Sequence, residues 1–405
     1  MSDELTSTEK VILSLVSNSL FDVPYEVPKD VDWEAVFEEA CVQAVLPLAL
    51  FRVKALLPDS ISEIVNRLIN KVISKNLQNE YNHEYTHSIL KKAGVPYVFL
   101  KGYASAEYYP NPEYRSMGDV DFLVAKEDME KADKILINEG FSKRTENHIC
   151  HVVYQRADAH LEMHFEAPGV PEGNTGELVR EYLKDIFSSS VILNIGKGQI
   201  CVPDKFHHGL VLLLHTAHHL TGEGIGLRHL CDWAVFVNSF SNGEFENLFR
   251  TKLRKAGLWN FARLLTQLSV VYLGLPRQDW AMTDVDEEFL KQMIIDIFSG
   301  GNFGIKDNTR KHEAIIISSR GKNGVGNSSL QKQFIKTVND IIYLKWPLSK
   351  KHKILLPFGW LFFGIRSGIR IITGKRERVN VTSTVSGAKK RRDIYKEFHL
   401  YETED

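Results

Sequence analysis

The sequence predicts an α+β fold in which a small mixed β-sheet is flanked by N-terminal and C-terminal helical regions. Apolar residues recur at helical spacing through residues 1 to about 93 and again from Pro203 onward, the pattern of helices with one buried face. Between them lie short apolar runs punctuated by glycine turns, with the alternation that a strand imposes by pointing successive side chains to opposite faces. One of these runs, PYVFLKGYASAEYYPNPEYRSMGDVDFLV from Pro96 to Val124, ends in Asp119 and Asp121 inside an otherwise apolar segment.

Each element follows from its local chemistry. Thr6-x-x-Glu9 has the form of a capping box opening a first helix, since each side chain can satisfy the other's free backbone N–H. Trp33 to Leu57 continues the helical pattern, and Ser60 to Ala93 predicts a long helix stopped at Gly94. The run VPYVFL predicts the first strand, Lys126 to Glu139 a helix, and the segment from Gly140-Phe141 to Glu166 two or three further strands. In His160-Leu161-Glu162-Met163-His164, alternation sets His160, Glu162 and His164 on one face and Leu161 and Met163 on the other, with Asp158 in the turn before them. Val191 to Val202 predicts a hairpin around Gly196-Lys197-Gly198. The resulting division is a helical region at 1–93, a core at 94–202, a helical domain at 203–300, a linker and helix at 301–344, and a basic, aromatic tail at 345–405.

Asp119 and Asp121 point the same way on their strand while Val120 and Phe122 point the other. Two carboxylates side by side at a buried strand end are costly, and a divalent cation compensates; an oxygen-only ligand set suits Mg²⁺ or Mn²⁺. The plainer alternative is a Gly118-Asp119 turn followed by an exposed Asp121. Glu162 is the leading candidate for a third carboxylate, with Glu166 as the fallback and a solvated strand face as the plain reading.

The order of these residues decides between them. Through Leu100-Lys101-Gly102, Tyr109-Pro110, Arg115 and GDVDFLV the chain resembles the nucleotidyltransferase superfamily, and within it a bacterial branch of uncharacterised nucleotidyltransferases. The resemblance implies a nucleotidyltransferase core, an NTP donor with ATP expected, and transfer of a nucleoside monophosphate to a hydroxyl as pyrophosphate leaves. It implies that Asp119, Asp121 and Glu162 are catalytic and bind Mg²⁺ (or Mn²⁺), and that Lys101, Gly102, Arg115 and Gly118 meet the nucleotide. Gly102 would open a helix toward the phosphates, where free N–H groups attract anions. Two departures stand out: Tyr103 replaces the usual second small residue, and 16 residues separate Gly102 from Asp119. The resembling family also carries a histidine-bearing helix followed by a motif like Gly226-Leu227-Arg228-His229-Leu230-Cys231-Asp232. His164, His215, His219, Arg228 and Asp232 are therefore candidates for the acceptor side of the pocket. The alternative function is a catalytically inactive nucleotide-binding or regulatory module of the same fold.

In the helix FHHGLVLLLHTAHHL, residues His208, His215 and His219 fall on one stripe. Zinc is not the preferred reading, because no acidic residue lies between His215 and His219 and no cysteine is near. Arg228 and Asp232, four apart, are expected to pair on a helix surface. The glycine-rich stretches Ser299 to Gly304 and Gly321 to Gly326 lack the order of a phosphate-binding loop.

From Lys345 to Asp393 the tail carries 13 Lys and Arg against only Glu377 and Asp393. Within it, ILLPFGWLFFGI at 354–365 is too short to cross a bilayer, which needs about 20 apolar residues. Lysines and arginines around it, across 350–376, suit peripheral contact with an anionic membrane, with docking onto the helical domain as the competing reading. Nucleic acid is not expected, since no recognisable module accompanies the charge. The chain after Arg378 is expected to be poorly ordered for some distance. Overall, a net charge of −1 with 43% hydrophobic residues describes a folded protein, and the dispersed Cys41, Cys150, Cys201 and Cys231 form no CxxC pair. A reducing, cytoplasmic compartment is expected, and the acidic N-terminus does not read as a secretory signal.

Overall fold

The computed structural model describes residues 4–25, 27–144, 150–241, 243–310, 313, 330–372 and 381–403. The N-terminal region contains α1 (Ser7–Phe21), α2 (Trp33–Val42), the short α3 (Leu46–Leu50) and the long α4 (Asp59–Lys92). The capping box forms at the start of α1: the Thr6 side chain accepts from the Glu9 N–H and the Glu9 carboxylate accepts from the Thr6 N–H.

The central sheet is built from β1 (Tyr97–Phe99), β2 (Val120–Val124), β3 (Ser142–Lys143), β4 (His151–Arg156) and β5 (Ala159–His164), in the order β1-β2-β5-β4-β3. Among the described residues only β2 and β5 pair in parallel, so the sheet is mixed. The one-turn α5 (Tyr103–Ala106) follows β1, and α6 (Met129–Asn138) connects β2 to β3. Val120, Phe122, Leu161 and Met163 are fully buried on one side of the sheet, with Phe99, Leu90 and Leu136 packed against them. Burial of that face fixes the register, because a slip of one residue would turn the apolar set to solvent. The opposite face is thereby left to Asp121, Glu162 and His164.

After α7 (Gly173–Tyr182), β6 (Val191–Ile195) and β7 (Gly198–Val202) form a separate hairpin turning at Gly196-Lys197. Then come α8 (Lys205–Thr221), α9 (Leu227–Asn238), α10 (Glu244–Lys255), α11 (Trp259–Leu273) and α12 (Glu287–Gly300). These helices share one apolar core with the N-terminal ones, in which Ile12, Val16 and Leu50 join Leu213, Trp233, Phe261 and Phe298. The α4 helix bridges the two cores: Ile61, Val65 and Ile69 lie in the helical one and Leu90 in that of the sheet.

The tail holds α13 (Leu330–Lys345), α14 (Leu348–Lys351), α15 (Leu356–Ile372) and α16 (Val381–Lys396). Here the structure corrects the expectation of poor order after Arg378. From α16 and the residues after it, Ala388, Tyr395, Phe398 and Leu400 are buried in the helical core. Arg391 donates to Glu313 Oε2 at 3.0 Å and to the carbonyls of Leu220 and Gly222 at the end of α8. A few well-spaced apolar side chains outweigh the charge count, because long basic side chains carry their charge outward along apolar stems. Ser299 to Gly304 covers the end of α12 and a tight turn, whereas Gly321 to Gly326 lies outside the described residues. No described helix is long and apolar enough to cross a membrane.

Candidate active site

A polar stripe on α4 builds the floor beneath the aspartates. Asn76, Asn79 and His83 are buried in the middle of the helix, where unpaired amides would be costly. Their partners are the backbone of the loop leading into β2: Asn76 Nδ2 donates to the carbonyls of Glu113 and Arg115 at 2.8 Å, and Asn79 Nδ2 to that of Gly118 at 2.9 Å. These bonds hold Gly118-Asp119 at the entrance to β2.

Parallel pairing then sets Asp121 directly beside Glu162 and Leu123 beside His164. Asp121 Oδ1 accepts from His164 Nε2 at 2.9 Å and meets Lys101 Nζ at 3.1 Å. Burial alone would raise the Asp121 carboxyl, but Lys101 and His164 outweigh it and hold the group well below the ordinary range. His164 responds in the opposite sense: burial lowers it, yet bonds to Asp121, Cys150 and Glu162 push it up to about 10. Asp119 sits at the solvent side, its carboxyl raised by partial desolvation and by the charges of Glu162 and Asp121. Three carboxylates thus share one patch, with one ammonium and one imidazolium gathered on Asp121.

Lys101 reaches this point from a backbone in the left-handed region (φ 58°), and Gly102 follows at φ 52°. A side chain at Gly102 would begin 3.0 Å from His83 Nε2, so glycine is required for two reasons, conformation and space. The helix that Gly102 opens is only Tyr103–Ala106. The resemblance implies a helix whose N-terminus faces the phosphates, and a single turn carries little of the dipole that attracts anions.

Tyr109, Arg115 and Asp232, each taken from a motif of the resemblance, converge on a buried ion pair. Arg115 donates through Nε and Nη2 to the two oxygens of Asp232, each at 2.7 Å, and the Tyr109 hydroxyl donates to the same carboxylate at 2.6 Å. Burial would raise Asp232, but Arg115 outweighs it and keeps the carboxyl below its ordinary range. Both groups are almost fully buried. This corrects the expected surface pair between Arg228 and Asp232: Asp232 faces Arg115, and Arg228 donates to the Ser116 carbonyl at 3.2 Å. Arg228 is half-buried, and desolvation lowers its pKa.

On the helical side, His215 and His219 of α8 bring their Nε2 atoms to 3.0 Å, and His229 from the first turn of α9 stands with them. His208 leaves the stripe predicted for it, lying between the rings of Tyr108 and Phe236 instead. Glu166 is likewise drawn off, to Arg180.

The sheet and the helical side enclose a cavity of about 560 Å³, which His208 and Glu166 do not reach. Asp119, Asp121, Glu162, Lys101, Gly102, Arg115, Gly118, His164, His215, His219, Arg228 and Asp232 all line it. Sequence reasoning missed Cys150, His151, Glu223, His229 and Phe303 on the same wall. His229 had a signal, since it lies inside the quoted GLRHLCD motif; Phe303 had none, because it arrives from a turn after α12. The Cys150 thiol, though raised by burial, is brought down to about 7 by bonds to His151 and His164. Among the described residues, Asp121, Glu162 and His164 form one group compact enough to hold a cation.

No curated protein matches the chain. A family model described as an uncharacterised nucleotidyltransferase matches residues 29–274, which take in α2, α4, the whole sheet, the histidine helix and α9. With more than half of the sequence inside that match, the chain belongs to the uncharacterised nucleotidyltransferase family.

Proposed function

We propose that the protein transfers a nucleoside monophosphate from an NTP, with ATP the expected donor, to a hydroxyl group of an acceptor. The observation that carries this reading is the β2–β5 register, which sets Glu162 beside Asp121 with Asp119 two residues upstream. The donor set fits Mg²⁺ or Mn²⁺: three carboxylates supply oxygen ligands, and the Asp119 carboxyl is raised first by partial desolvation and then by the charges of Glu162 and Asp121, both of which a cation would offset. When bound, the metal supplies charge neutralisation at the triphosphate and at the attacking oxygen. Asp119, Asp121 and Glu162 would hold it. Glu162 also accepts the acceptor's hydroxyl proton as the oxygen bonds to the α-phosphorus and the bond to pyrophosphate breaks.

Lys101 contributes its ammonium to the phosphates, while Gly102 and Gly118 leave room for close backbone approach. Arg115, held by Asp232, acts as a positioning residue: it fixes the loop before β2 rather than gripping phosphate. His164 orients Asp121, and His215, His219 and Arg228 border the acceptor side. A second reading, nucleotide binding without turnover, is favoured by one observation, the Lys101 ammonium seated on Asp121.

Calorimetry of each of the four NTPs with Mg²⁺, on the natural chain and on Asp119→Asn/Asp121→Asn, tests both. Metal-dependent binding weakened at least about tenfold in the variant, about 1.4 kcal/mol, with pyrophosphate released on adding acceptor extracts, is the expected result. Binding without release under any acceptor supports the second reading, and no binding of any NTP overturns both.

For the tail, we propose peripheral contact with an anionic membrane through 350–376, which would hold a cytoplasmic enzyme at the membrane surface. On α15, Phe358 and Leu361 are each 63% exposed, with exposed Lys350, Lys351, Lys353 and Arg366 around them; Lys375 and Arg376 lie outside the described residues. Aromatic and aliphatic side chains rimmed by cations match such a surface. Phe358→Glu/Leu361→Glu should lower co-sedimentation with phosphatidylglycerol vesicles, and unchanged binding would refute the contact.

A further inference from the structure

We propose that His215, His219 and His229 form a second metal site, for a transition dication of the Zn²⁺ class, on the helical wall of the cavity. The site stands independently of the transfer reaction proposed above. Its ligand atoms all lie within 4.8 Å of one another. His215 and His219 are one helical turn apart on α8, and their Nε2 atoms approach to 3.0 Å, a distance that also allows a hydrogen bond between the rings. Zinc–nitrogen bonds of about 2.0–2.1 Å at tetrahedral angles separate two such nitrogens by about 3.3 Å. The pair is therefore close to its metal-bound spacing.

Two further observations point to a ligand. His229 is 3% exposed, and its Nε2 is buried with no hydrogen-bond partner, a costly state for a ring nitrogen. Its Nδ1 receives only a long contact, 3.4 Å, from the Gly226 N–H. Metal binding at Nε2 moves the ring proton to Nδ1 and gives up that contact. Behind His219, the Glu223 carboxylate lies 3.6 Å from Nδ1. That distance is an ion-pair contact and not a hydrogen bond, and His219 Nδ1 has no hydrogen-bond partner; a small closing movement would make Glu223 the carboxylate that fixes a ligating histidine's tautomer and orientation.

Burial lowers the pKa values of all three rings, which keeps them in the neutral form that binds metal. Imidazole nitrogens suit Zn²⁺, Co²⁺, Ni²⁺ and Fe²⁺, whereas the oxygen set at Asp119, Asp121 and Glu162 suits Mg²⁺. The two walls of one cavity thus select different cations. Lys101 Nζ lies between them, 3.4 Å from His215 Nε2 and 3.1 Å from Asp121 Oδ1. Three protein ligands leave a coordination position open, as in catalytic rather than purely structural zinc sites. The positive charges of Lys101 and Arg228, both of which act on His215, favour an anion there, such as hydroxide or a substrate oxyanion.

The test is a Co²⁺ titration of the chelator-stripped full chain, followed by visible d–d absorption. One equivalent should produce the bands in the natural protein and in Asp119→Asn/Asp121→Asn alike. His219→Ala and His229→Ala should lose them, and Glu223→Gln should weaken binding by about 10- to 100-fold. If the alanine variants fail to fold by circular dichroism, Glu223→Gln, changed at a partly exposed position, decides. Absence of bands in the natural protein overturns the proposal. So do bands that survive the histidine changes and Glu223→Gln, or that vanish only in the aspartate variant, which would assign the ion to the carboxylates.

Discussion

Arg115 and Asp232, 117 positions apart, tie the loop before β2 to the helical body. Their side chains are shielded from water, and removing one partner leaves the other charged, buried and unpaired. Arg115→Ala should therefore cost about 3–5 kcal/mol in urea unfolding, while Arg115→Met/Asp232→Leu should recover much of it; equal losses would show that the pair does not act as a unit. The charge on His208 provides a test by pH. Burial holds its pKa at about 3 against an ordinary 6.5, with Asp232 raising it slightly and Arg115 opposing. Between those values the unfolded chain binds a proton that the folded chain refuses, so stability falls as pH drops through 6.5. From about pH 7.5 to about pH 5, His208→Leu should lose less stability than the natural chain; parallel curves would place the titration elsewhere. At this scale the sequence identified the carboxylates by residue type and alternation. It missed the Arg115–Asp232 pair because a contact of such long range leaves no local pattern, whereas a four-residue spacing on one helix invites the wrong partner, Arg228.

Between β1 and α5, the Lys101-Gly102 turn holds two consecutive left-handed residues. Gly102→Ala forces an alanine into that conformation against His83, and should cost about 1–3 kcal/mol. NTP binding should weaken with it, read by calorimetry; an unaffected variant would mean that the turn relaxes without consequence. The α4 helix shows how far an element can be read from sequence. Its length and its stop at Gly94 follow from periodicity and a glycine terminator, and the structure places it at Asp59–Lys92. The purpose of Asn76 and Asn79 at its centre did not follow, because their partners are carbonyls of a loop some 40 positions away. The α16 helix is the opposite case, where composition misled. Phe398 just beyond it is fully buried, so Phe398→Ala should lower stability by about 3–5 kcal/mol in urea unfolding. A change near zero would restore the disordered reading.

Across the whole molecule, the cavity exists because the helical body closes over the polar face of the sheet. Arg391 from α16 holds the last carbonyls of α8, the helix that carries His215 and His219, so the C-terminal segment supports the wall on which the second metal site is proposed. Removing residues 381–405 should lower the thermal midpoint and weaken Co²⁺ binding together; loss of stability with Co²⁺ binding intact would confine the segment to a packing role. By itself, the sequence determined the α+β class, the strand that carries Asp121, the face that carries Glu162, and the family, because alternation, glycine turns and motif order are local properties of the chain; Asp119, expected on that strand, stands in the bend just before it. Only the tertiary structure decided that Glu162 stands beside Asp121, that Arg115 belongs to Asp232, that His229 joins His215 and His219, and that the basic C-terminus ends inside the core. Each of these depends on register and burial between segments distant in sequence, and the free energy of such contacts appears only when the chain has folded.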